Sequence, residues 1–328
     1  MGLPVKIQSK HLLTALILAL NTSTLVQAAN YQYRIPSTGI ASPVAVANGG
    51  NWVAGTKGLT GTFSVAFGNS KFVTVQRGGS GAAHSTDGVA WLGATLPSSQ
   101  LWQSVAFGNG RFVAVANGPS NAAAYSADGA IWSASTLPAS KYWAYVTFGN
   151  GLFVAIDSSN AVATSPDGVT WSLRTLPVID NWHTALVANG KLYVFGQGTG
   201  KTAISSDNGL TWSLSTRPSY IAGYVDVTYG NGKFVAGAYA SPEVAAVSTD
   251  GVSWTQTSTP LTGNGSVTYG NGKYVAVAYN SNVAAHSLDG VVWTASTLPE
   301  VNTWTDIVFG SGKFVTVNRT NATTATTN

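Results

Sequence analysis

Few residues in this chain could do chemistry: of 328 residues only 12 are acidic and four are histidine, and there is no cysteine. Six of the acids, Asp87, Asp128, Asp167, Asp207, Asp250 and Asp289, recur in one setting, a Ser-x-Asp-Gly-x-x-Trp box such as Ser165-Pro166-Asp167-Gly168 with Trp171. There the Ser and Asp side chains accept hydrogen bonds from turn donors, glycine takes the left-handed position, and tryptophan packs between sheets. These acids are assigned to folding. One carboxylate per box provides no converging oxygen set for calcium.

Asp157, Asp180, Asp226, Asp306, Glu243 and Glu300 remain for paired-carboxylate hydrolysis. Asp226 and Asp306 share a repeat slot, three residues before the aromatic of a Gly-Asn-Gly-type turn, where other copies carry Ser64, Ser104, Tyr145, Thr184 and Ser266. If the first strand of each copy is innermost, this polar column lines a central channel. Water there is one explanation, and a hydrolytic Asp226–Asp306 pair is the other. His84 and His286 share a slot and His183 follows Trp182, none with metal-ligand spacing. No serine lies in a nucleophile elbow, and Gly78-Gly79-Ser80-Gly81 precedes a strand, so it makes no phosphate loop. No cofactor or metal is expected.

Trp102, Trp143, Trp182 and Trp304 start four first strands, with Tyr224 in the same slot, beside polar loops carrying Asn121, Asn160 and Asn282. Aromatic faces cover the apolar side of a pyranose while amides read its hydroxyls, so these eight residues form the expected ligand-binding set. The competing reading has the tryptophans filling gaps between blades.

The elements that position these residues come from a repeat. Box tryptophans recur at 91, 132, 171, 212, 254 and 293, and a worn copy surrounds Trp52. Seven copies of an aromatic-Gly-Asn-Gly-Lys-Phe-Val-like motif begin at Phe67, Phe107, Phe148, Val187, Tyr229, Tyr269 and Phe309. Each unit reads as a strand, an Asn-Gly hairpin, a second strand, a polar loop, a third strand, an Asp-Gly turn and a fourth strand. With no helical periodicity, this predicts an all-β, seven-bladed β-propeller of four-stranded antiparallel blades. Residues after Trp304 would supply two strands and residues 41 to 56 the other two, closing the ring in one composite blade and removing an exposed edge.

The boxes resemble the Asp-box, or BNR, repeats of sialidase-type propellers. Ser205 to Trp212 matches the full-length Ser-x-Asp-x-Gly-x-x-Trp form, and five others are one residue shorter. Tyr33-Arg34-Ile35-Pro36 is similar to the motif that opens sialidase catalytic domains, and the resemblance implies that Arg34 grips a substrate carboxylate. Arg77, Arg111, Arg174, Arg217 and Arg319 sit at repeat positions, however, and neither Glu243 nor Glu300 lies in a sialidase-like context. No sialidase active site is recognisable.

Lys6 and Lys10 precede the apolar run Leu12 to Leu20 and then Val26-Gln27-Ala28-Ala29, which reads as a signal peptide over 1–29 ahead of a single domain over 30–328. The run is too short to span a bilayer. Without the leader's two lysines the formal charge falls from +4 to +2, and no basic patch suits nucleic acid. Without disulfides, stability must come from the core. The sequence therefore points to a secreted or periplasmic, non-catalytic propeller that binds a glycan or an extracellular protein on its loop rim. The alternative is an Asp-box glycoside hydrolase.

Overall fold

Turn chemistry sets the local geometry. In the computed structural model, which describes residues 51–327 apart from 222, 224 and 239–243, Asn109 and Gly110 have φ of 46° and 74°. Two successive positive φ angles make the type I′ turn that matches strand twist, and Asn-Gly reaches it at low cost. The next hairpin bend is held by the box. Val169 N and Thr170 N each donate to Asp167 Oδ1 at 2.9 Å, Gly168 N donates to Ser165 Oγ at 2.8 Å, and Trp171 Nε1 donates to Gly168 O at 3.2 Å. The extra residue in the Ser205 box removes the last of these bonds, leaving buried Trp212 Nε1 without a partner.

In chain order the strands are β1 (Trp52–Thr56), β2 (Thr62–Gly68), β3 (Lys71–Ser85), β4 (Leu92–Gly108), β5 (Arg111–Asn117), β6 (Ser120–Ser126), β7 (Ser133–Lys141) and β8 (Trp143–Gly149). Next come β9 (Leu152–Asp157), β10 (Ala161–Ser165), β11 (Ser172–Thr175), β12 (Trp182–Ala188), β13 (Lys191–Gly196), β14 (Lys201–Ser205), β15 (Ser213–Thr216) and β16 (Val225–Gly230). The rest are β17 (Lys233–Ala238), β18 (Val244–Ser248), β19 (Thr255–Ser258), β20 (Asn264–Gly270), β21 (Lys273–Ala278), β22 (Ser281–Ser287), β23 (Thr294–Asn302), β24 (Trp304–Gly310), β25 (Lys313–Asn318) and β26 (Thr323–Thr327).

These strands build six sheets, which corrects the expected seven separate blades. Five sheets have four strands, β8–β11, β12–β15, β16–β19, β20–β23 and β24–β25–β26–β1, while β2 to β7 form one six-stranded sheet. The merger has a local cause. β3 runs on through Gly78, Gly79 and Gly81, and its register shifts let Arg77 face Leu101 and Gly79 face Gln100 before Gly81 faces Thr95. Glycine tolerates such bulges, so the strands on either side stay paired and two sequence copies share one sheet.

The composition of the last sheet also departs from expectation. The C-terminal end contributes three strands and the N-terminal end one, β1, which pairs with β26 from Trp52↔Thr327 to Thr56↔Thr323. Residues 41–50 of the segment expected to contribute lie outside the described residues.

Adjacent copies meet through aromatic rings set against glycine. Phe72, Phe112, Phe153, Phe234 and Phe314 are fully buried, and Phe107 lies 4.8 Å from Phe112 between ring centroids. A Cβ placed on Gly108 would lie 2.0 Å from the Phe148 ring, and one on Gly310 would lie 2.1 Å from Phe67. The second contact joins the C-terminal innermost strand to the N-terminal one. Gly108→Ala is therefore expected to destabilise the fold by about 1–3 kcal/mol through overpacking. Urea denaturation measures this, and an unchanged midpoint would show that the ring is not held at this distance.

Candidate functional site

The channel wall is built from a backbone deficit. The innermost strand of a sheet pairs on one side only, so its inward-facing N–H groups have no ladder partner. A bulge just after its first residue, as between Trp102 and Ser104 or Trp304 and Asp306, turns the polar column into this gap. Val105 N then donates to Ser64 Oγ at 3.2 Å, Val146 N to Ser104 Oγ at 3.1 Å, Val267 N to Asp226 Oδ2 at 2.9 Å and Val65 N to Asp306 Oδ2 at 2.8 Å. Each of these oxygens joins its own innermost strand to that of the next copy.

Asp226 and Asp306 do come together, through Ser266. Its Oγ lies 2.6 Å from Asp226 Oδ2 and 3.3 Å from Asp306 Oδ1. Val227 N donates to the remaining oxygen, Asp226 Oδ1, at 3.0 Å, and Ile307 N adds a second bond to Asp306 Oδ1 at 2.8 Å. Burial pushes both carboxyls up, and Asp306 reaches about 7 because the neighbouring Asp226 charge adds to the effect. Burial and the same two charges also hold the Tyr145 phenol well above its ordinary range.

On one side of this polar ring lies a cavity of about 280 Å³, whose lining includes Phe63, Gln103, His183, Tyr279, Thr305 and Arg319. A second cavity of about 290 Å³ shares Ser64, Tyr145, Asp226, Ser266 and Asp306 with the first, so the two meet at the ring. Burial lowers His183 to about 4, which keeps it neutral at neutral pH. Arg319 is exposed, with its guanidinium carbon 5.0 Å from the Tyr279 ring centre and 5.8 Å from that of Phe63. Arg77, also exposed, stands 5.2 Å from the same Phe63 ring.

The expected stacking platform is corrected. Trp102, Trp143, Trp182 and Trp304 are at most 1% exposed. Their indoles donate to the carbonyls of Ser98, Ala139, Val178 and Ser281 at 3.0–3.3 Å, so they seal the gaps between neighbouring units and offer no face to a ligand. Asn121 is exposed and Asn160 and Asn282 are half-buried. Tyr224, Glu243 and Arg34 lie outside the described residues. Among the described residues no group of three or more His, Asp or Glu is placed to hold a metal ion.

Sequence reasoning missed the cavity mouth. Its signal was the slot just before the polar column, which carries Phe63, Gln103, Ala144, His183, Val225, Gly265 and Thr305. No packing rule explains that variety. Simple strand alternation would turn the slot away from the channel, and the bulge turns it inward.

No family model and no curated protein matches the chain. Solved structures do. A catalytically inactive virginiamycin B lyase from Staphylococcus aureus with quinupristin is similar at a TM-score of 0.74 and 14% identity, over 85% of this chain and 100% of that one. YCF48 bound to D1 peptide is similar at 0.69 and 15%, over 88% and 99%. BBS1N in complex with ARL6DN is similar at 0.63 and 12%, over 84% and 93%. At such identities the likeness establishes the β-propeller fold.

The ring carries a pH signature. Asp306 titrates at about 7 in the folded chain against an ordinary 3.8, so the folded state binds this proton more tightly than the unfolded one. Stability from this group is intact at low pH and falls as pH rises from 3.8 to about 7. Asp306→Ser, which restores the commonest residue of the slot, is expected to flatten that fall. Denaturation midpoints on either side of the window test this, and an equal fall in the variant would assign the pH dependence elsewhere.

Proposed function

We propose that this protein is a non-catalytic binding propeller that takes an acidic protein segment at the channel mouth. One observation carries the reading: among the described residues the sole salt bridge is Lys201–Asp180, which leaves the Arg77 and Arg319 guanidiniums stacked on aromatic rings with no acidic partner. A guanidinium stacked on a ring keeps its in-plane N–H donors free for a carboxylate.

The channel acids have the opposite character. All four of their oxygens already hold protein donors, and three of them bond across copies, so the pair is committed to the ring. With the indoles buried, the stacking planes that favoured a glycan are withdrawn. Two of the similar folds have peptide or protein partners in their structures, which is compatible with a protein ligand here. We also take the chain to be exported, on its leader-like first residues.

An acidic peptide array is expected to retain the protein in a salt-sensitive way. Arg319→Ala should weaken that binding about tenfold or more, since a hydrogen bond to a charged group contributes roughly 1.5–3 kcal/mol, and Asp306→Ser should leave it unchanged. Glycan-array binding that survives Arg319→Ala would replace the protein ligand with a sugar. Release of a fluorophore from a glycoside, lost in Asp226→Asn, would overturn the non-catalytic reading.

A further inference from the structure

The sheet that joins the chain ends breaks the repeat at one buried position. Five residues after the box tryptophan, four copies bury Leu96, Leu137, Leu176 and Leu298, each at most 2% exposed, two others bury Arg217 and Thr259, and the copy containing Trp52 places Lys57 there at 1%. A buried ammonium is costly without partners. Lys57 Nζ donates to the backbone oxygens of Asn321 at 2.7 Å and Thr323 at 3.2 Å. The amine is thus held against the residue whose side chain is the most unusual feature of this sheet.

Asn321 Oδ1 accepts three hydrogen bonds, from Asn302 Nδ2 at 2.9 Å, Asn318 Nδ2 at 3.0 Å and Thr323 N at 2.9 Å. Its Nδ2 donates to Glu300 Oε1 at 3.0 Å. Three donors on one amide oxygen polarise the carbonyl and would hold the negative charge of a tetrahedral intermediate. A carboxylate on the amide nitrogen is placed to protonate it as a leaving group. The amine thus rests on the backbone carbonyl of the residue whose side-chain amide is polarised and bonded to a carboxylate, from segments 264 residues apart in the case of Lys57 and Asn321.

We propose that Lys57 and Asn321 become joined by an intramolecular isopeptide bond, with Glu300 moving the proton. The Nζ lone pair attacks Asn321 Cγ, and the carbonyl electron pair moves onto Oδ1 among its three donors. Glu300, bonded to Nδ2, takes the proton that Nζ releases as it closes on Cγ and delivers it to Nδ2. The Cγ–Nδ2 bond then breaks, the carbonyl re-forms and ammonia leaves. One amine and one primary amide give one secondary amide and one ammonia, with no oxidant and no cofactor.

The protonation states suit this step. Burial, opposed by the Glu300 charge, brings the Lys57 amine down to about 7, so a large share of it carries a free lone pair at neutral pH. The Asn321 hydrogen bond leads the influences that hold Glu300 below the usual carboxylate range, so it is ionised at neutral pH and has a vacant acceptor site for the proton. Lys57 follows β1 and Asn321 precedes β26. The bond would lock the sheet that joins the chain ends, in a chain without cysteine.

Tryptic digestion of the purified, folded protein followed by mass spectrometry tests this. The expected product is a branched peptide in which Lys57 resists cleavage and carries the segment beginning at Thr320, lighter than the two parts by one ammonia. Lys57→Arg, which places in this slot the residue type that Arg217 supplies in another copy, and Glu300→Gln should each remove the branch, and circular dichroism checks that both remain folded. Wild-type protein with Lys57 cleaved and the Thr320 segment linear at full mass would overturn the proposal without reference to any variant. An undiminished branch in Glu300→Gln would overturn the role given to Glu300.

Discussion

The inward N–H groups of each innermost strand are the constraint on which this ring depends. No further strand can pair with them, and water in a narrow channel satisfies them only loosely. The chain answers with a side-chain oxygen at one repeat slot, so that Ser64, Ser104, Asp226 and Asp306 each accept from the next copy. Those bonds require the innermost strands to lie side by side, and the aromatic-against-glycine contacts set how closely they do. Glycine at 108 and 310 follows from that closeness, because any Cβ there would enter the neighbouring ring.

The same constraint decides what the channel acids do. Asp226 and Asp306 occupy positions that serine fills elsewhere, and they share the single hydroxyl proton of Ser266. Their raised carboxyls follow from burial, to which the Asp226 charge adds at Asp306, a combination that in an open cleft would mark an acid–base pair. Here every oxygen already spans or supports a junction between copies, so the perturbation belongs to ring structure. Chemistry suited to a partner lies one slot earlier and in the neighbouring loops, where Arg77 and Arg319 stand over the Phe63 and Tyr279 rings without an acidic partner among the described residues.

Where the chain ends meet, the repeat gives way to a different set of interactions. β26 is the sequence Thr-Thr-Ala-Thr-Thr, whose β-branched side chains suit a strand but carry no motif. Thr324 and Thr326 both donate to Gly88 O, tying this strand to the box of the next copy. Beside it, a leucine slot has become Lys57 and a cluster of asparagines surrounds Glu300. Repetition alone supplies none of this, since a junction of two chain ends faces demands that an internal sheet does not.

The sequence by itself determined the local structure: hairpins at Asn-Gly, boxes around each aspartate, strands of the right type and the polar column. In the hairpins and boxes the partners lie within a few residues, and the polar column recurs at a fixed repeat slot, so residue type and spacing suffice. Tertiary structure decided the rest. The rim tryptophans became buried wedges because a neighbouring unit covers them, and two copies fused into one sheet because the loop at Gly78–Gly81 stayed within pairing distance. Arg319 met Phe63, and Lys57 met Asn321, only when the ends of the chain came together. Those encounters depend on how the sheets are spaced and angled around the axis, a property of the whole ring that no window of adjacent residues contains.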